Sequence, residues 1–321
     1  MAAINRRALL AGSTAAAASL ATSSARAASP AAGTQSPGIY RTKLGSTELT
    51  ALYDGTWFRK IDDKLVKNAS AAEVDKALTD AFLAPGILPT SFTALLVNTG
   101  SKLVLIDTGT GGQFGPTTGH MAGALASAGV KPADIDTILI SHFHPDHING
   151  IKDKDGRKVF ANAEISVPAP EWAYWMDDAQ MNAAPQAART GFLNVRRIFA
   201  DIAGEVKRFE PGREVAPGIA SVAAYGHTPG HTAYAVASGN RSIMVLGDVT
   251  NHPWLFARHP QWQGVFDVDG NMAAETRKRM LDRVAADKML VQGYHFPFPA
   301  SGYIAKTASG YEVVPVMWQP M

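Results

Sequence analysis

Three histidines and one aspartate occur within six residues, in the segment Ser141-His142-Phe143-His144-Pro145-Asp146-His147. Imidazole and carboxylate groups suit Zn²⁺, and they also suit Mn²⁺, Co²⁺ or Fe²⁺. His142 and His144 are alternate residues, so their side chains can point the same way while the chain stays extended. Pro145 then redirects the backbone, which lets Asp146 and His147 face a second ion. The segment therefore predicts a metal site with room for two ions.

Three later segments place a histidine or an aspartate where a predicted strand gives way to a loop. They are Gly226-His227-Thr228-Pro229-Gly230-His231, Leu246-Gly247-Asp248 and Gly293-Tyr294-His295-Phe296-Pro297. Ligand-bearing loops of α/β folds follow the carboxyl ends of strands, so loops at one edge can converge on a shared site. His295 taken alone is more typical of a packed core histidine, and its assignment depends on the rest of the set.

The composition limits the chemistry that such a site can use. The 321 residues include nine histidines and no cysteine. The absence of cysteine excludes disulfides, thiolate metal sites, iron–sulfur clusters and cysteine nucleophiles. The hydrophobic fraction of 46% is ordinary for a globular protein. Any transition metal must therefore be held by nitrogen and oxygen ligands.

Residues 1–27 have the features of a cleaved export signal. The pair Arg6-Arg7 precedes a run of Ala, Ser, Thr and Leu, which ends in the small-x-small cleavage pattern Ala25-Arg26-Ala27. The arginine pair is typical of the twin-arginine type, so we expect a periplasmic or secreted protein. Cleavage would change the Lys+Arg count from 30 to 27 against 28 Asp+Glu, and the net charge from +2 to −1. A nearly neutral chain gives no reason to expect a nucleic-acid partner.

Strand and helix patterns alternate along residues 39–321, which we interpret as one domain after a flexible lead-in at 28–38. Hairpin turns at 98–101 and 238–241 exclude a purely parallel sheet, because parallel strands need crossover connections. A capping box at Ser70-Ala71-Ala72-Glu73 predicts a helix that runs to about residue 84. Interleaved helices and mixed sheets predict a layered α/β fold. No segment after the signal has the roughly 20 apolar residues that a membrane span needs.

Together these segments resemble the metallo-β-lactamase superfamily, whose signature is His-x-His-x-Asp-His followed by a distal His, an Asp and a last His. The resemblance covers nearly all of the chain after the signal. It includes the motifs Ala51-Leu52-Tyr53-Asp54-Gly55 and Ile106-Asp107-Thr108-Gly109. It implies an αββα sandwich, in which two mixed β-sheets are flanked by helices.

The resemblance also implies two divalent metal ions, zinc in the first place, held by seven ligands. Carried over residue by residue, it assigns His142, His144 and His231 to the first ion, Asp146, His147 and His295 to the second, and Asp248 to both. His227 then orients a ligand or a loop instead of binding metal. Asp54 is expected to accept a hydrogen bond from a liganding imidazole, and Asp107 to tie its hairpin to the metal loop.

A site of this kind implies hydrolysis by a hydroxide that bridges two metal ions, with no serine or cysteine nucleophile. Asp146 is then both a ligand and the catalytic group that takes or gives the proton. The resemblance also places Phe114, Trp175 and Phe192 in an aromatic substrate pocket over the ions. The alternative is that these three are ordinary core aromatics.

Asp248 narrows the substrate class, because the true β-lactamases of the superfamily generally lack a bridging aspartate there. An ester-like bond is favoured, in a lactone, a carboxylic ester or a phosphotriester. Stretches such as Gly230-His231-Thr232 resemble exported methyl parathion hydrolase and its lactonase-like relatives. An aromatic insert at 250–256 and 259–262 departs from that group, and whether it walls the pocket is open.

The alternatives are a β-lactamase, a glyoxalase-like thioesterase and a non-catalytic metal-binding scaffold on the same fold. All of the catalytic alternatives take a small-molecule substrate. The sequence leaves the oligomeric state open, a homodimer included.

Overall fold

Two seven-stranded mixed β-sheets form the centre of the computed structural model, which describes residues 32, 33, 35–319 and 321. The strands of the first sheet lie in chain order: β1 (Ile39–Leu44), β2 (Thr47–Lys60), β3 (Ile87–Asn98), β4 (Leu103–Ile106), β5 (Thr137–Leu139), β6 (Glu164–Pro168) and β7 (Lys207–Phe209). Strands β1 to β4 are antiparallel, and β4 to β7 are parallel. The predicted hairpin turn at 98–101 joins β3 to β4.

The second sheet also follows the order of the chain, from one edge to the other. Its strands are β8 (Glu214–Ala216), β9 (Ile219–Ala223), β10 (Thr232–Ser238), β11 (Arg241–Val245), β12 (Leu290–Gln292), β13 (Ser301–Lys306) and β14 (Tyr311–Pro315). Its neighbouring strands are antiparallel except for β11 and β12, which are parallel. The predicted turn at 238–241 joins β10 to β11.

The helices of the described residues lie mostly between strands of the parallel regions. They are α1 (Ala71–Thr79), α2 (Met121–Ser127), α3 (Pro145–Ile148), α4 (Ala169–Met176), α5 (Asp178–Ala183), α6 (Gln186–Phe199) and α7 (Gly270–Ala286), with a π-helical turn at Pro253–Ala257. Ser70 and Glu73 form the predicted capping box before α1. The helix ends at Thr79 rather than near residue 84, and at Phe82 the chain takes a left-handed conformation with φ of 61°.

Side chains on β3 show how the layers pack. Leu95 and Val97 belong to a core cluster that lies between the two sheets, whereas Ala94 and Leu96 belong to the cluster beneath α2 and α6. Alternate residues of a strand face opposite sides, so an uninterrupted apolar run is buried on both faces. Helix α7 packs on the outer face of the second sheet. The predicted αββα sandwich is therefore confirmed.

Residues 37–321 form one compact unit that contains both sheets. Of residues 1–36, only 32, 33, 35 and 36 are described, and they have no helix or strand. The predicted signal at 1–27 lies outside the described residues. Within the described part of the chain, no helix combines the length and the apolar character that crossing a bilayer requires.

The loops that carry the predicted ligands follow the carboxyl ends of four strands, β5, β9, β11 and β12. Strands β11 and β12 are parallel neighbours, so their following loops leave the sheet at one edge. In the first sheet, β4 and β5 are parallel neighbours in the same way. This topology gathers segments that lie far apart in the sequence.

Candidate metal centre

His142, His144, His227 and Asp248 form a group whose ligand atoms all lie within 4.8 Å of one another. His144 Nδ1 is 3.0 Å from His142 Nε2 and 2.9 Å from His227 Nε2. Asp248 Oδ2 is 3.2 Å from the same nitrogen of His227. Two nitrogens that share a tetrahedral zinc ion at about 2.0–2.1 Å lie roughly 3.3 Å apart. The group therefore has the spacing that one such ion requires.

His227 belongs to the first group of ligand atoms, and His231 lies beside it. Nε2 of His231 accepts a hydrogen bond from the backbone N–H of Asp248 at 3.0 Å, and its Nδ1 donates to the carbonyl of Ala224 at 3.2 Å. Both ring nitrogens of this buried histidine are therefore engaged by the backbone. The turn directs the ring of His227 toward His144 and Asp248 and seats His231 directly before β10, and the assignment of His231 to the first ion stays a prediction.

Asp146, His147 and His295 form a second group. Asp146 Oδ2 lies 3.3 Å from His147 Nε2 and 3.5 Å from His295 Nε2. Asp248 faces this group as well, with Oδ1 3.2 Å from His147 Nε2 and Oδ2 2.9 Å from His295 Nε2. Asp248 thus lies between the two groups, as the sequence predicts for a shared ligand.

Four of the imidazoles are held at Nδ1, which leaves Nε2 directed at the centre. The partners of Nδ1 are Ser141 Oγ for His142 (3.0 Å), Asp107 Oδ2 for His147 (2.8 Å), Asp267 Oδ1 for His227 (2.8 Å) and the Ser91 carbonyl for His295 (2.9 Å). Such outer partners fix the tautomer and orientation of metal-binding histidines. The donor set is therefore arranged as a metal centre requires.

Two buried atoms support the same assignment. His147 Nε2 and Asp248 Oδ1 are fully buried and make no hydrogen bond, and a buried polar atom without a partner costs about 1–3 kcal/mol. A cation between them would satisfy both. Burial lowers the pKa of His142 well below its usual value and that of His144 to about 3. Both rings are therefore neutral, which is the form that binds metal.

Of the two supporting aspartates, Asp107 makes the predicted link between its hairpin and the metal loop, and Asp54 has other partners than predicted. Asp107 accepts the Nδ1–H of His147 and also holds the backbone N–H of Ser141 at 2.8 Å, so it both orients a ligand and ties the metal loop to β4. Asp54 contacts no imidazole. Its carboxylate accepts the N–H and hydroxyl of Thr110 and the N–H of Met121, at 2.6–2.9 Å. The hydrogen bond from a liganding imidazole that was predicted for Asp54 is not made, because Thr110 and Met121 occupy both oxygens of its carboxylate.

Glu171, on α4, joins two of the metal loops and was not predicted from the sequence. Its Oε1 accepts the N–H of Phe143 at 2.9 Å and the indole N–H of Trp175 at 2.7 Å, and its Oε2 accepts the N–H of Gly230 at 2.8 Å. A Cβ at Gly230 would collide with the backbone of Glu171. Burial raises the pKa of Glu171, against the effect of its donors. Nothing in the local sequence signals this contact between distant segments.

Replacing Glu171 by Gln is expected to destabilise the fold by about 1–3 kcal/mol, because the amide NH₂ then faces a buried N–H donor. The measurement is the free energy of unfolding from denaturant titration. Glu164→Gln, on an exposed glutamate of the neighbouring strand, is the matched control and should change it by less than about 0.5 kcal/mol. Equal changes in the free energy of unfolding for the two substitutions would contradict a stabilising role of Glu171 between the two loops.

A pocket of about 160 Å³, partly open to solvent, lies over the two groups. Its floor is polar and is formed by His144, Asp146, His227, Asp248 and His295. Its walls are largely apolar and include Trp57, Leu65, Leu88, Phe92, Phe114, Phe256, Val265 and Phe266. The part of the predicted insert that contains Phe256 does wall the pocket.

Only one of the three predicted pocket aromatics lines this space. Phe114 does so and packs against Trp57 and Phe92, with ring centroids 5.5 and 5.6 Å apart. Trp175 and Phe192 are buried against each other, with centroids 4.7 Å apart. Neither ring lines the pocket, and Trp175 donates its indole N–H to the buried carboxylate of Glu171, so the core interpretation fits these two.

Comparison with known proteins gives a family match and similar structures. Residues 90–287 match the family described as the metallo-beta-lactamase superfamily. AidC, described as a dizinc quorum-quenching lactonase in complex with a hexanoyl-homoserine product, is similar at a TM-score of 0.83 and 30% identity, over 88% of this chain and 99% of that chain. The hydrolase AbOPH, described as a member of the beta-lactamase superfamily, has a TM-score of 0.82 and 29% identity, over 89% and 100% of the two chains.

Among curated proteins, a probable metallo-hydrolase of Mycobacterium tuberculosis is 28% identical over 180 residues, which is 49% of this chain and 56% of the relative. A probable metallo-hydrolase of Mycobacterium bovis matches equally. The chain thus spans about half the length of the curated relatives that it matches.

Proposed function

Since the chain belongs to the metallo-β-lactamase superfamily, we propose that it is a dinuclear metal-dependent hydrolase of small ester-like substrates, with lactones as the preferred class. The observation that carries the proposal is the position of Asp248. This one carboxylate faces both groups of ligand atoms, at the floor of a largely apolar pocket. That arrangement combines a two-ion centre with a binding surface for an apolar substrate.

We propose which residues would hold the ions from the grouping of their ligand atoms and from the family signature. His142 and His144 would hold one ion together with His227, which the geometry groups with them, or with His231, which the signature assigns there. Asp146, His147 and His295 would hold the other ion, and Asp248 would be common to both. When bound, two zinc ions supply an activated water and polarise the substrate's carbonyl oxygen. The all-nitrogen-and-oxygen donor set suits zinc, and Mn²⁺, Co²⁺ and Fe²⁺ as well.

Asp146 is proposed as the proton-transfer group. Its Oδ2 faces His147 and His295, and its side chain is 12% exposed, against 3% for Asp248. Asp146 lines the pocket, so its remaining oxygen can accept a proton there and return it to the leaving alkoxide. Asp248, which is held by Asn251 Nδ2 at 3.0 Å, is less free to do so.

The apolar walls are proposed to bind an acyl or alkyl chain and to exclude water from the floor. Phe92, Phe114 and Phe266 supply much of this surface. The similarity to AidC supports a lactone that carries an apolar side chain. Each methylene that is buried contributes about 0.8 kcal/mol, or roughly fourfold in kcat/KM. We therefore expect activity to rise with acyl chain length until the pocket is filled.

The test uses the purified, zinc-loaded full chain and a panel of substrates: acyl-homoserine lactones from acetyl to octanoyl, an aryl ester, a phosphotriester, a thioester and a cephalosporin. The lactones should be hydrolysed with the highest kcat/KM. A chelator should abolish this activity, and added zinc should restore it. Preference for the cephalosporin, the thioester or the phosphotriester would overturn the lactone assignment in favour of that class. Two bound ions with no hydrolysis of any substrate would favour the non-catalytic scaffold.

We also propose that the chain is exported through the twin-arginine signal at residues 1–27. The support is the sequence pattern itself, and the cysteine-free centre needs no reducing compartment. Changing the two signal arginines, Arg6 and Arg7, to lysine should retain the protein in the cytoplasm of a bacterial host, as cell fractionation would show. Unchanged delivery to the periplasm would contradict the twin-arginine route.

A further inference from the structure

We propose that Arg59 is a substrate-binding residue, and that it selects substrates whose acyl chain ends in a carboxylate. This preference rests on the proposed function, because it names the substrate class of the same pocket. The residue lies in the wall that β2 and β3 form, away from the metal ligands on the floor. The preference therefore concerns the far end of the substrate rather than the reacting bond.

Arg59 lies on the side of β2 that faces the pocket. Alternate residues of a strand point to opposite sides. Trp57 and Arg59 line the pocket, whereas the ring of Phe58 between them is exposed. Leu88, which pairs with Arg59 on β3, also lines the pocket. The side chain of Arg59 is only 17% exposed, so a charged group forms part of a largely apolar wall.

The guanidinium of Arg59 makes an ion pair but no hydrogen bond with the residues that the structure describes. Its Nη2 lies 3.7 Å from Asp62 Oδ2, which is longer than a hydrogen bond. The side chain of Asp62 is 53% exposed, and its Oδ1 accepts the N–H of Lys64 at 3.0 Å. Pairs of this exposed kind contribute little. Since a guanidinium carries five N–H donors, those of Arg59 are available to a ligand in the pocket.

The second arginine that lines the pocket, Arg277 on α7, differs in this respect. Its side chain is 1% exposed. At distances of 2.7–3.0 Å it donates to three backbone carbonyls, those of Val249, Pro260 and Trp262. A buried guanidinium is stable only where its donors are satisfied. The protein itself satisfies Arg277, and this leaves Arg59 as the candidate for binding a substrate.

Phe266 connects Arg59 to the metal centre. The guanidinium of Arg59 lies 5.2 Å from the centroid of the Phe266 ring. The same centroid lies 6.3 Å from that of His144, a predicted metal ligand. Because one phenyl ring contacts both groups, a small substrate that is bound at the floor can reach the guanidinium.

The pairing of β2 with β3 shows which part of the substrate would reach Arg59. Phe92 lies next to the floor, with its ring centroid 5.5 Å from that of His295. Leu88, the partner of Arg59, is four residues away on the same strand, which corresponds to about 13 Å. The reacting ester at the floor is therefore distant from Arg59, and the end of an acyl chain is the part that meets the guanidinium.

A carboxylate is the end group that this arrangement fits. The planar fork of guanidinium N–H groups matches the two oxygens of a carboxylate, and such charge-assisted hydrogen bonds are stronger than neutral ones. The apolar side chains beside Arg59, which include Trp57 and Leu88, would hold the methylene groups of the chain. A chain with an apolar middle and an anionic end thus matches the pocket better than a purely alkyl chain.

The alternative role for Arg59 is that of a surface ion-pair partner for Asp62. The two roles differ in a measurable way. If the ion pair is the whole role, Arg59→Leu and Asp62→Asn should have the same small effect on stability and no effect on ligand preference. If Arg59 binds substrate, only its own substitution removes the preference for an anionic chain.

The first measurement is calorimetric binding of hexanoate and adipate to the purified, zinc-loaded full chain. Both probes have six carbons and one carboxylate that can bind at the floor, and only adipate has a second carboxylate for Arg59. Adipate is expected to bind about 10–100-fold more tightly, as a charge-assisted hydrogen bond gives. Arg59→Leu should remove this difference. Arg59→Lys keeps the charge without the fork and should retain part of it, and it serves if the leucine variant does not fold.

The second measurement is hydrolysis of two matched homoserine lactones, one with a hexanoyl chain and one with an adipoyl chain. The adipoyl lactone should have the lower KM. Arg59→Leu should raise that KM by about 10–100-fold and retain kcat, because the contact is distant from the reacting bond. Arg258→Leu is the matched control, since Arg258 also pairs with an exposed carboxylate at 3.7 Å, that of Glu312, and does not line the pocket. It should leave both KM values unchanged.

The outcomes separate this preference from the proposed function. Equal binding of hexanoate and adipate to the wild type, or a preference for adipate that persists in Arg59→Leu, would overturn the role of Arg59 while lactone hydrolysis could still be observed. Tighter binding of adipate that depends on Arg59, without hydrolysis of either lactone, would overturn the proposed function and leave Arg59 as an anion-binding residue.

Discussion

His227→Ala is expected to leave the protein with one bound metal ion per chain. Turnover should fall by much more than the roughly 10–100-fold that is lost when a hydrogen-bond partner of a metal ligand is removed. His231→Ala is expected to retain both ions. The reason is the direction of the two rings. Nε2 of His227 lies 2.9 Å from His144 Nδ1, whereas both nitrogens of His231 are hydrogen-bonded to backbone groups.

The effect of His231→Ala should appear in stability instead. The substitution leaves the N–H of Asp248 and the carbonyl of Ala224 without their partner in a fully buried site. Each such loss costs about 1–3 kcal/mol. Metal analysis, turnover and the free energy of unfolding should be measured on both variants. Loss of an ion from the His231 variant, with two ions kept by the His227 variant, would reverse the assignment.

Asp248→Ala is expected to have the largest effect on the centre as a whole, because its carboxylate faces both groups of ligands. Its two oxygens lie 2.9–3.2 Å from nitrogens of His147, His227 and His295. Although burial alone would raise its pKa, the charges of His295 and His147 hold the pKa of Asp248 well below its usual value. The group is therefore an anion, and without it five imidazoles would share one carboxylate, Asp146.

The expected result is fewer than two ions per chain and a fall in kcat beyond the roughly 10²–10³-fold that removal of one transition-state hydrogen bond costs. Asn251→Ala is the matched control, because it removes only the donor to Asp248 Oδ2. The Asn251 variant should keep both ions and lose about 10-fold in kcat at most, as expected when a hydrogen-bond partner of a metal ligand is removed. Full occupancy and near-wild-type kcat in Asp248→Ala would exclude a shared ligand.

Much of the fold follows from local patterns. The run of apolar residues on β3 indicates a strand that is buried on both faces. The turns at 98–101 and 238–241 indicate hairpins, and the capping box marks the start of α1. These features depend on residues that are neighbours in the sequence, so they can be recognised from the sequence alone. The end of α1 was predicted less well, because helix ends depend on packing as well as on propensity.

The pocket was the least predictable part of the molecule. Its aromatic walls come from β2, β3 and the loops after β4 and β11, which the chain order does not place together. Trp175 was expected there, but a hydrogen bond to Glu171 turns its indole into the core. Neither Glu171 nor Asp267 stands in a motif that signals a role at a metal site. Their partners in the loops around the centre, Phe143, Gly230 and His227, lie 28 to 59 residues away along the chain.

The sequence by itself determined the kind of chemistry. Nine histidines without cysteine leave only nitrogen and oxygen ligands, and the spacing of residues 142–147 indicates two ions. The tertiary structure decided which of two histidines, four residues apart in one turn, has a ring nitrogen that faces His144 and Asp248. The physical reason is that a ring nitrogen's direction is set by its hydrogen-bond partners, and these are distant. Asp267 holds His227 from 40 residues away, and the backbone of Asp248 holds His231 from 17.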